Sequence, residues 1–498
     1  MASTTLTLTP ALKINGVIPR FGSKFNFYGG IPSDYTNPIL SCSSSIKHRT
    51  TRSKPVCSAG LNRSSGLNSH TFDVVIIGAG IIGLTIARQF LLGSNLSVGI
   101  IDAAAPCAGA TGAGQGYIWK VHRDPGTEKW ELVMRSHQLW EALAESIHNQ
   151  GLDPLQTLGW KKTGSMLVGR TANECSALKS RVEQLLEAGL EASFLSCDDL
   201  QSEEPALMLG SEGGAAFVPD DYQIDARCTV AFIEKGNRYF AAEGRYAEFY
   251  YEPATSLLRS ESSGDVVAVQ TSKNTLYSKK AIIVAAGCWS GSVLHDLIKH
   301  SEIELDFPVK PRKGHLLVIE NFKSLNLNHG LMELGYVNHK SATLSSTTTD
   351  SGSGYDANTS PVSMTATMDM SGRLVLGSSR QLVGFNTEID ESVITQIWER
   401  AGEFFPILKQ VSLKELNKSR EVRVGLRPYM PDGKPVIDHV PRISNMFLAA
   451  GHEGEGLTLV IFSFFSSLNN VLVLRKYSVL IWCTILDNTG QYNEMFGK

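Results

Sequence analysis

The stretch FDVVIIGAGIIGLTIARQFLLGSNLSVGIID, residues 72–102, determines the predicted fold. It begins with an apolar run interrupted only by Asp73, the pattern of a parallel strand that is buried on both faces. Apolar residues at helical spacing follow over 81–92, and a second apolar run occupies 97–102. A strand, a glycine turn, a helix and a second strand within about thirty residues form a βαβ unit. The sequence therefore predicts an α/β domain in which order begins at Phe72.

The turn of this unit carries Gly78, Gly80 and Gly83, the glycine spacing of dinucleotide-binding sites. The first glycine permits a tight turn, the second lets the backbone approach a pyrophosphate, and the third lets the helix pack on the strand. Backbone amides at the helix start then face the diphosphate. Asp102 follows Gly83 by nineteen residues, where a carboxylate accepts hydrogen bonds from a ribose diol. Because Asp102 also disfavours a 2′-phosphate, the pattern predicts a dinucleotide other than NADP.

Two further glycine-rich segments distinguish FAD from NAD. AGATGAGQG at 108–116 comes just after Asp102, whereas AAGHEGEGL at 449–457 lies near the other end of the chain. A nicotinamide enzyme has no need of so distant a glycine loop, but FAD is longer and needs a second backbone lining at its isoalloxazine ring. Amides in a loop between a strand and a helix can stabilise the negative charge of the reduced ring. The sequence therefore predicts FAD.

Four blocks, in this order, resemble the D-amino-acid oxidase family, to which glycine oxidase and sarcosine oxidase belong. They are GAGIIG with Asp102, IIVAAGCWS at 282–290, RVGLRPYMPDGKPVID at 423–438, and AAGHEGEGL at 449–457. The resemblance covers about residues 72–459. It implies an α/β fold, with a Rossmann-like FAD-binding domain of discontinuous segments and an α+β substrate domain built on a mixed β-sheet.

The resemblance also implies a reaction. Family members oxidise the C–N bond of an amino acid or a secondary amine by hydride transfer to flavin N5. The imine is then hydrolysed, and oxygen or another acceptor reoxidises the flavin. The expected partners are thus a small-molecule amine and an electron acceptor. Family members with covalent flavin attach it to a cysteine near the LRP block, where this chain has Gly425, so we expect non-covalent FAD.

The element pattern and the resemblance together predict how the chain is divided. The FAD-binding domain is expected at 72–120, 214–305 and 421–459. The substrate domain is expected at 121–213 and 306–420, with a disordered polar loop at 341–361. The ends are a transit peptide at 1–58 and an atypical hydrophobic tail at 460–498.

Cofactor contacts are carried over from the family to the matching positions of this chain. At the ADP moiety they are Gly78, Ala79, Gly80, Ile82, Gly83 and Asp102. Between the pyrophosphate and the ring they are Ala110, Thr111, Gly112, Gln115 and Gly116. Along the cofactor they are Ala286, Gly287 and Trp289, and at the pyrimidine edge Gly451, His452, Gly454, Gly456 and Leu457.

Three side chains are candidates for a direct part in the reaction. Arg427 matches the family arginine in GLRP that clamps the substrate carboxylate, and a guanidinium pairs bidentately with a planar carboxylate. Lys313, in PRKGHLL with His315, is a candidate cation on the other face of the flavin, where it could assist oxygen reduction. The alternative for Lys313 and His315 is that they are strand residues facing solvent, and the alternative for Arg427 is a surface ion-pair residue. His452 is the third candidate.

The chain departs from the family pattern on the strand before the SGRLVLG block. Related amino-acid oxidases place a tyrosine there, and it bonds the substrate carboxylate. This chain has Ser363-Met364-Thr365-Ala366-Thr367 in that stretch. The absence of this phenol predicts a substrate other than a simple α-amino acid.

A second departure follows Leu459, where the family continues with a helix of small residues. Here Phe462, Phe464 and Phe465 are bulky, and overpacking typically costs ~1–3 kcal/mol. A membrane anchor is disfavoured because Asn469-Asn470 and Arg475-Lys476 divide the tail into short apolar pieces. The alternative is a variant end of the chain, which would leave the flavin site incomplete.

The composition indicates the cellular compartment of the protein and disfavours some classes of protein. Residues 1–60 contain Asp34 as their only acidic residue, against seven Lys or Arg, and are rich in Ser and Thr. This pattern predicts a chloroplast transit peptide and a stromal protein, with the mitochondrion as the second choice. A net charge of −3 excludes a typical nucleic-acid binder. The eight cysteines include no C-x-x-C pair, so neither a disulfide framework nor a zinc site is expected.

Two functions remain open at the level of sequence. The first is an FAD-dependent amine or amino-acid oxidase or dehydrogenase, which Arg427 favours. The second is a non-catalytic assembly or scaffold protein of an organelle electron-transfer complex that keeps the flavin fold. The missing tyrosine and the altered tail favour the second function.

Overall fold

A computed structural model of the chain describes residues 67–261, 263–298, 307–337 and 362–460. The predicted transit peptide at 1–58 and the predicted disordered loop at 341–361 lie outside the described residues. The predicted atypical tail does too, apart from Val460, which is buried.

The first sheet has eight strands and contains the predicted βαβ unit. That unit is the strand Asn68–Ile77, the helix Ile81–Gly93 and the strand Val98–Ile101, and the two strands pair in parallel. The first strand begins at Asn68, four residues before Phe72. The other strands are Tyr246–Phe249, Ser256–Arg259, Val266–Gln270, Asn274–Val284, Val436–His439 and Met446–Ala450.

The geometry of the turn explains two of its three glycines. Gly78 has φ of +115°, and a Cβ atom there would lie 2.3 Å from the carbonyl oxygen of Ala285. A Cβ atom on Gly83 would lie 1.9 Å from the carbonyl oxygen of Gly78. Any side chain at either position would therefore separate the helix from the strands beside it.

The second sheet is mixed, as the family resemblance implied, and it also has eight strands. In spatial order they are Arg420–Tyr429, Lys310–Ile319, Leu374–Ser379, Val362–Met368, Gly330–Glu333, Ser165–Gly169, Gly214–Val218 and Ser193–Ser196. The fifth and sixth of these pair in parallel, and the other neighbours are antiparallel.

The change from one sheet to the other does not fall at the predicted boundaries of 214 and 421. Gly214–Val218 pairs with strands on both sides within the second sheet. Arg420–Tyr429 pairs along its whole length with Lys310–Ile319, also in the second sheet. Strand partners are chosen by contacts between distant segments, which the local pattern does not contain. As a result, Arg427 belongs to the second sheet.

Helices cover both sheets. The core of the first sheet includes Leu84 and Phe90 from the helix Ile81–Gly93 and the buried Trp140. The core of the second includes Trp398, Phe404 and Phe405. Other α-helices of the described chain are Glu128–Asn149, Pro154–Leu158, Ala172–Glu187, Cys197–Glu203, Ala226–Arg238, Ser290–Ile298 and Glu391–Gly402. A small third sheet joins the strands Tyr117–Ile118, Lys161–Lys162 and Tyr222–Gln223.

Within the described ranges, no helix combines the length and the apolar character needed to cross a membrane. The same residues contain no group of three or more His, Cys, Asp or Glu side chains arranged to hold a metal ion.

Candidate functional site

A cavity of about 460 Å³ extends from the glycine turn at Gly78 to the strand Arg420–Tyr429. It therefore lies between the first and the second sheet. Most of the residues predicted to bind cofactor or substrate line it. They are Gly78, Gly80, Ile82, Asp102, Ala110, Thr111, Gln115, Gly116, Ala286, Gly287, Trp289, Arg427, His452, Gly454, Gly456 and Leu457.

Four predicted cofactor residues stand behind the lining. They are Ala79, Gly83, Gly112 and Gly451. At the three glycines, a Cβ atom would come within 1.9 to 2.5 Å of a heavy atom of another residue. The amide of Ala79 donates a hydrogen bond to Asp102 Oδ2 at 2.6 Å. These positions shape the loops through close backbone packing and do not face the cavity.

Lys313 is not brought to the cavity, which corrects its assignment as a catalytic candidate. Its neighbours Gly314 and Leu316 line the cavity, whereas Lys313 Nζ donates a hydrogen bond to Asn386 Oδ1 at 2.8 Å. Successive residues of a strand point to opposite faces of a sheet, so Lys313 cannot share a face with Gly314. Nor does it face solvent, since it is only 4% exposed. His315 is also buried, and its Nδ1 shares a hydrogen bond with Ser379 Oγ at 2.9 Å.

The glycine-turn end of the cavity suits a diphosphate. A Cβ atom on Gly80 would meet only Thr111 Oγ1, at 3.4 Å, so the backbone is open toward the cavity. The helix Ile81–Gly93 has no side-chain cap from Gly80 and no acidic residue in its first turn. Its first amide, that of Ile81, donates to Thr111 Oγ1 at 3.2 Å. The remaining amides and the helix dipole are thus available to an anion.

Asp102 is held in one orientation at the same end of the cavity. Its Oδ2 accepts from the amide of Ala79 at 2.6 Å, and its Oδ1 accepts from the amide of Ala104 at 2.8 Å. Burial raises the pKa of Asp102, and these two hydrogen bonds oppose the rise. Each carboxylate oxygen keeps a second lone pair. Asp102 therefore fits the role of acceptor for a ribose diol.

At the opposite end, the loop 451–457 is anchored from behind by buried charges. Glu455 pairs with Arg123 at 2.5 Å and with Lys129 at 3.0 Å, and its side chain is only 4% exposed. The indole Nε1 of Trp140 donates to the carbonyl oxygen of Leu457 at 3.1 Å. These contacts fix the loop backbone that lines the cavity, where a flavin ring would need rigid amides.

His452 lies in this loop and is almost fully buried. Burial lowers its pKa to about 4, so its imidazole is neutral at neutral pH. His315, on the other face of the second sheet, also has a pKa that burial lowers to about 4. His452 can therefore donate or accept a hydrogen bond in the cavity, but it does not present a positive charge there.

We expect these two histidines to make folding stability depend on pH. The folded state keeps both imidazoles neutral, whereas the unfolded chain takes up protons as the pH falls below about 6.5. Their contribution is therefore complete above pH 6.5 and is lost as the pH falls toward 4. A shift from 6.5 to about 4 corresponds to roughly 3 kcal/mol for each residue.

The measurement is the free energy of unfolding in urea at several pH values between 7.5 and 4.5. His452→Gln and His315→Gln should each flatten the decline in this range, because each removes one proton-binding group of the unfolded chain. His439→Gln changes an exposed histidine and serves as the control. A decline that is identical in all four proteins would contradict the assignment.

Arg427 points its guanidinium across the neighbouring strand. Its Nη1 donates to the carbonyl oxygen of Ser379 at 2.9 Å. A Cβ atom on Gly314 would lie 2.5 Å from Arg427 Nη1, so only glycine at 314 leaves room for the guanidinium. Burial lowers the pKa of Arg427, and among the described residues no carboxylate pairs with it. The remaining N–H groups are available to an anionic ligand in the cavity.

The cavity also contains phenols that the sequence did not indicate. Tyr336 lines it, close enough to Arg427 for the two to interact electrostatically. Tyr117 lines it as well, and its buried hydroxyl has no hydrogen-bond partner of acceptable geometry in the described chain. Thr365, in the stretch that lacks the family tyrosine, lies near this hydroxyl. The cavity thus contains two phenols from other elements, neither of which carries a recognisable motif.

Comparison with known proteins agrees with this geometry. The family model described as FAD dependent oxidoreductase matches residues 73–463. Glycine oxidase of Geobacillus kaustophilus (strain HTA426) is 24% identical over 394 residues, which span 78% of this chain and 90% of that enzyme. Monomeric sarcosine oxidase of Bacillus sp. (strain B-0618) is 25% identical over 242 residues, 48% of this chain and 56% of that enzyme.

A crystal structure of glycine oxidase from Geobacillus kaustophilus has the same fold. The TM-score is 0.65 at 20% sequence identity, over 82% of this chain and 96% of that one. The family match spans the glycine turn, Arg427 and the loop 451–457 in one stretch. The chain therefore belongs to the family of FAD-dependent oxidoreductases that also includes glycine oxidase and sarcosine oxidase.

Proposed function

We propose that this protein oxidises the C–N bond of an amine that carries a carboxylate, with non-covalent FAD as the hydride acceptor. The observation that carries the proposal is Arg427, whose guanidinium lacks a carboxylate partner among the described residues and lines the same cavity as the glycine turn. The likeness to glycine oxidase and sarcosine oxidase supports the class of substrate. Gly425 occupies the place where covalent family members have a cysteine, which supports non-covalent binding.

In this proposal, Arg427 binds the substrate carboxylate with two parallel N–H groups and so fixes the orientation of the α-carbon. FAD, when bound, supplies the acceptor for a hydride. The C–H bond next to nitrogen breaks, hydrogen leaves with its electron pair, and the nitrogen lone pair forms a C=N bond. Water then adds to the iminium carbon, and ammonia or a primary amine leaves as the carbonyl forms.

In this proposal, the residues that line the cavity assist the oxidation of the amine without transferring a proton. Hydride loss from a neutral amine needs no general base, which fits the neutral state of His452. The amides of the loop 451–457 are held by the Glu455 ion pairs and can face the negative charge that the reduced cofactor acquires. Tyr117 and Tyr336 add hydroxyl groups on the substrate side.

The full-length protein should be purified and inspected for the absorbance of bound flavin. Glycine, sarcosine, proline and D-alanine are then added separately without oxygen. We expect at least one of them to bleach the flavin, because hydride transfer reduces it. Bound flavin that none of these amines reduces would oppose the proposal and favour the non-catalytic scaffold alternative.

We also propose that the protein acts in the chloroplast stroma. The acid-poor, Ser-rich composition of residues 1–60 supports this location. Residues 1–60 fused to a fluorescent protein should direct it into chloroplasts of plant cells. Import into mitochondria, or retention in the cytosol, would contradict the proposal.

A further inference from the structure

An aromatic pair joins the two sheets beside the cavity. Trp289, which lines the cavity, follows the strand Asn274–Val284 of the first sheet. Phe385 follows the strand Leu374–Ser379 of the second sheet, and its ring stacks on the indole of Trp289 with the ring centres 5.8 Å apart. Phe385 is 47% exposed but does not line the cavity, so the exposed part of its ring meets the solvent. The pair therefore stands at the rim, between the cavity and the solvent.

Trp289 also adjoins the loop 108–116, which is predicted to run from the pyrophosphate toward the flavin ring. A Cβ atom on Gly109 would lie 3.7 Å from Trp289 Cζ3, an ordinary van der Waals contact distance. Gly109 lines the cavity together with its neighbours Ala108 and Ala110. The indole of Trp289 is thus close to a cofactor loop of the first sheet and, at the same time, to a ring from the second sheet.

The 381–390 segment, which carries Phe385, is held by hydrogen bonds from two buried residues of the PRKGHLL motif. The backbone of Lys313 bonds that of Gln381 in both directions, at 2.8 and 3.0 Å. Lys313 Nζ donates to Asn386 Oδ1 at 2.8 Å, and His315 Nε2 accepts from the amide of Asp390 at 3.3 Å. The apolar side chains of the segment are largely exposed, so these bonds, and not burial, fix its position.

We propose that the stacked pair of Trp289 and Phe385 is a clasp that retains FAD between the two sheets, with Lys313 as the positioning residue that keeps the clasp closed. The cavity lies between the sheets, so a cofactor that leaves past this rim requires the two rings to separate. Phe385 and Lys313 do not line the cavity and act only through Trp289. The proposal concerns the cofactor and does not depend on which amine is oxidised.

The first test measures how fast FAD leaves the loaded protein in the absence of substrate, from the change in flavin fluorescence after dilution. Phe385→Ala should raise this rate about 2- to 10-fold, the effect of losing one aromatic pair. Phe385→Tyr keeps a ring and should retain the rate of the unmodified protein. Leu382→Ala is the matched control, since it removes an exposed apolar side chain of the same segment without removing a ring.

The second test asks whether the effect passes through Trp289. Trp289→Leu alters the cavity lining and should raise the rate by itself, but Phe385→Ala should then add less than about twofold. Lys313→Met keeps the side-chain volume and leaves the exposed Asn386 to bond water, and should raise the rate as much as Phe385→Ala does. Asn386→Ala removes the same hydrogen bond from the exposed side and takes the place of Lys313→Met if that variant does not fold.

The unfolding of the flavin-free protein in urea separates a clasp from a general loss of stability. Because Phe385 is half exposed, Phe385→Ala should leave the free energy of unfolding nearly unchanged while FAD release becomes faster. An unchanged rate of FAD release in Phe385→Ala would overturn the proposal, as would an equal increase in Leu382→Ala. A full additional effect of Phe385→Ala in the Trp289→Leu protein would also overturn it, because Phe385 would then act by another route.

Discussion

Replacing Arg427 by glutamine is expected to lower kcat/KM for carboxylate-bearing amines by about a hundredfold or more. Loss of one partner from a desolvated, hydrogen-bonded charge pair costs ~2–5 kcal/mol. Glutamine cannot offer two parallel N–H donors to a carboxylate, and the substrate would lose its fixed orientation. Anaerobic stopped-flow reduction of the flavin, measured over a range of amine concentrations, gives the two kinetic constants separately.

The flavin content of this variant should stay close to that of the unmodified protein, because Arg427 is on the second sheet, across the cavity from the glycine turn. Arg420→Gln is the matched control. It lies on the same strand, Arg420–Tyr429, and its ion pair with Glu391 is far from the cavity lining. Loss of flavin from Arg427→Gln would show that the arginine supports the cofactor, and our assignment of a substrate contact would then be wrong.

Replacing Glu455 by glutamine is expected to lower the free energy of unfolding by about 3 kcal/mol. The carboxylate lies between Arg123 and Lys129, and Arg123 is itself buried. Removing one member of a buried ion pair leaves an uncompensated charge, which typically costs ~3–5 kcal/mol. The loop 451–457 loses its anchor at the same time, so the affinity for FAD should fall too. Urea denaturation and titration of the flavin-free protein with FAD measure the two effects.

Glu391→Gln provides the comparison for this variant. Glu391 pairs with Arg420 at 3.0 Å, and its side chain is 63% exposed. Exposed ion pairs contribute ~0–1 kcal/mol, so we expect little change in stability and none in FAD affinity. If Glu455→Gln and Glu391→Gln destabilise the protein equally, the buried pair does not anchor the loop.

The glycine turn could be predicted almost completely from sequence because its determinants are local. Gly83 and Asp102 contact backbone atoms of the same βαβ unit, at Gly78 and Ala79. The close approach at Gly78 is to Ala285, but the glycine spacing that marks the turn is local. The mixed second sheet was expected from the family resemblance and was confirmed. By contrast, the predicted boundaries at 214 and 421 depended on pairing between strands far apart in sequence, and neither coincides with the change of sheet.

The substrate side of the cavity could not be predicted in the same way. Lys313 stood in a suggestive motif, but strand alternation turns it away from the cavity and toward Asn386. Tyr336 and Tyr117 stood in no motif, yet both line the cavity. Tyr336 lies near Arg427, and Tyr117 lies near Thr365, because separate elements pack together. No spacing of residues along the chain encodes this packing.

The sequence by itself determined the FAD-binding turn, the family and the arginine in GLRP, because each depends on residues that are neighbours along the chain. Only the tertiary structure decided which side chains face the cavity: it turned Lys313 away and added two tyrosines. The physical reason is that the face on which a strand residue lies, and the strand beside it, are fixed by long-range sheet pairing. The turn at Gly78 indicates the cofactor, whereas the pairing of the second sheet brings Arg427 to the same cavity.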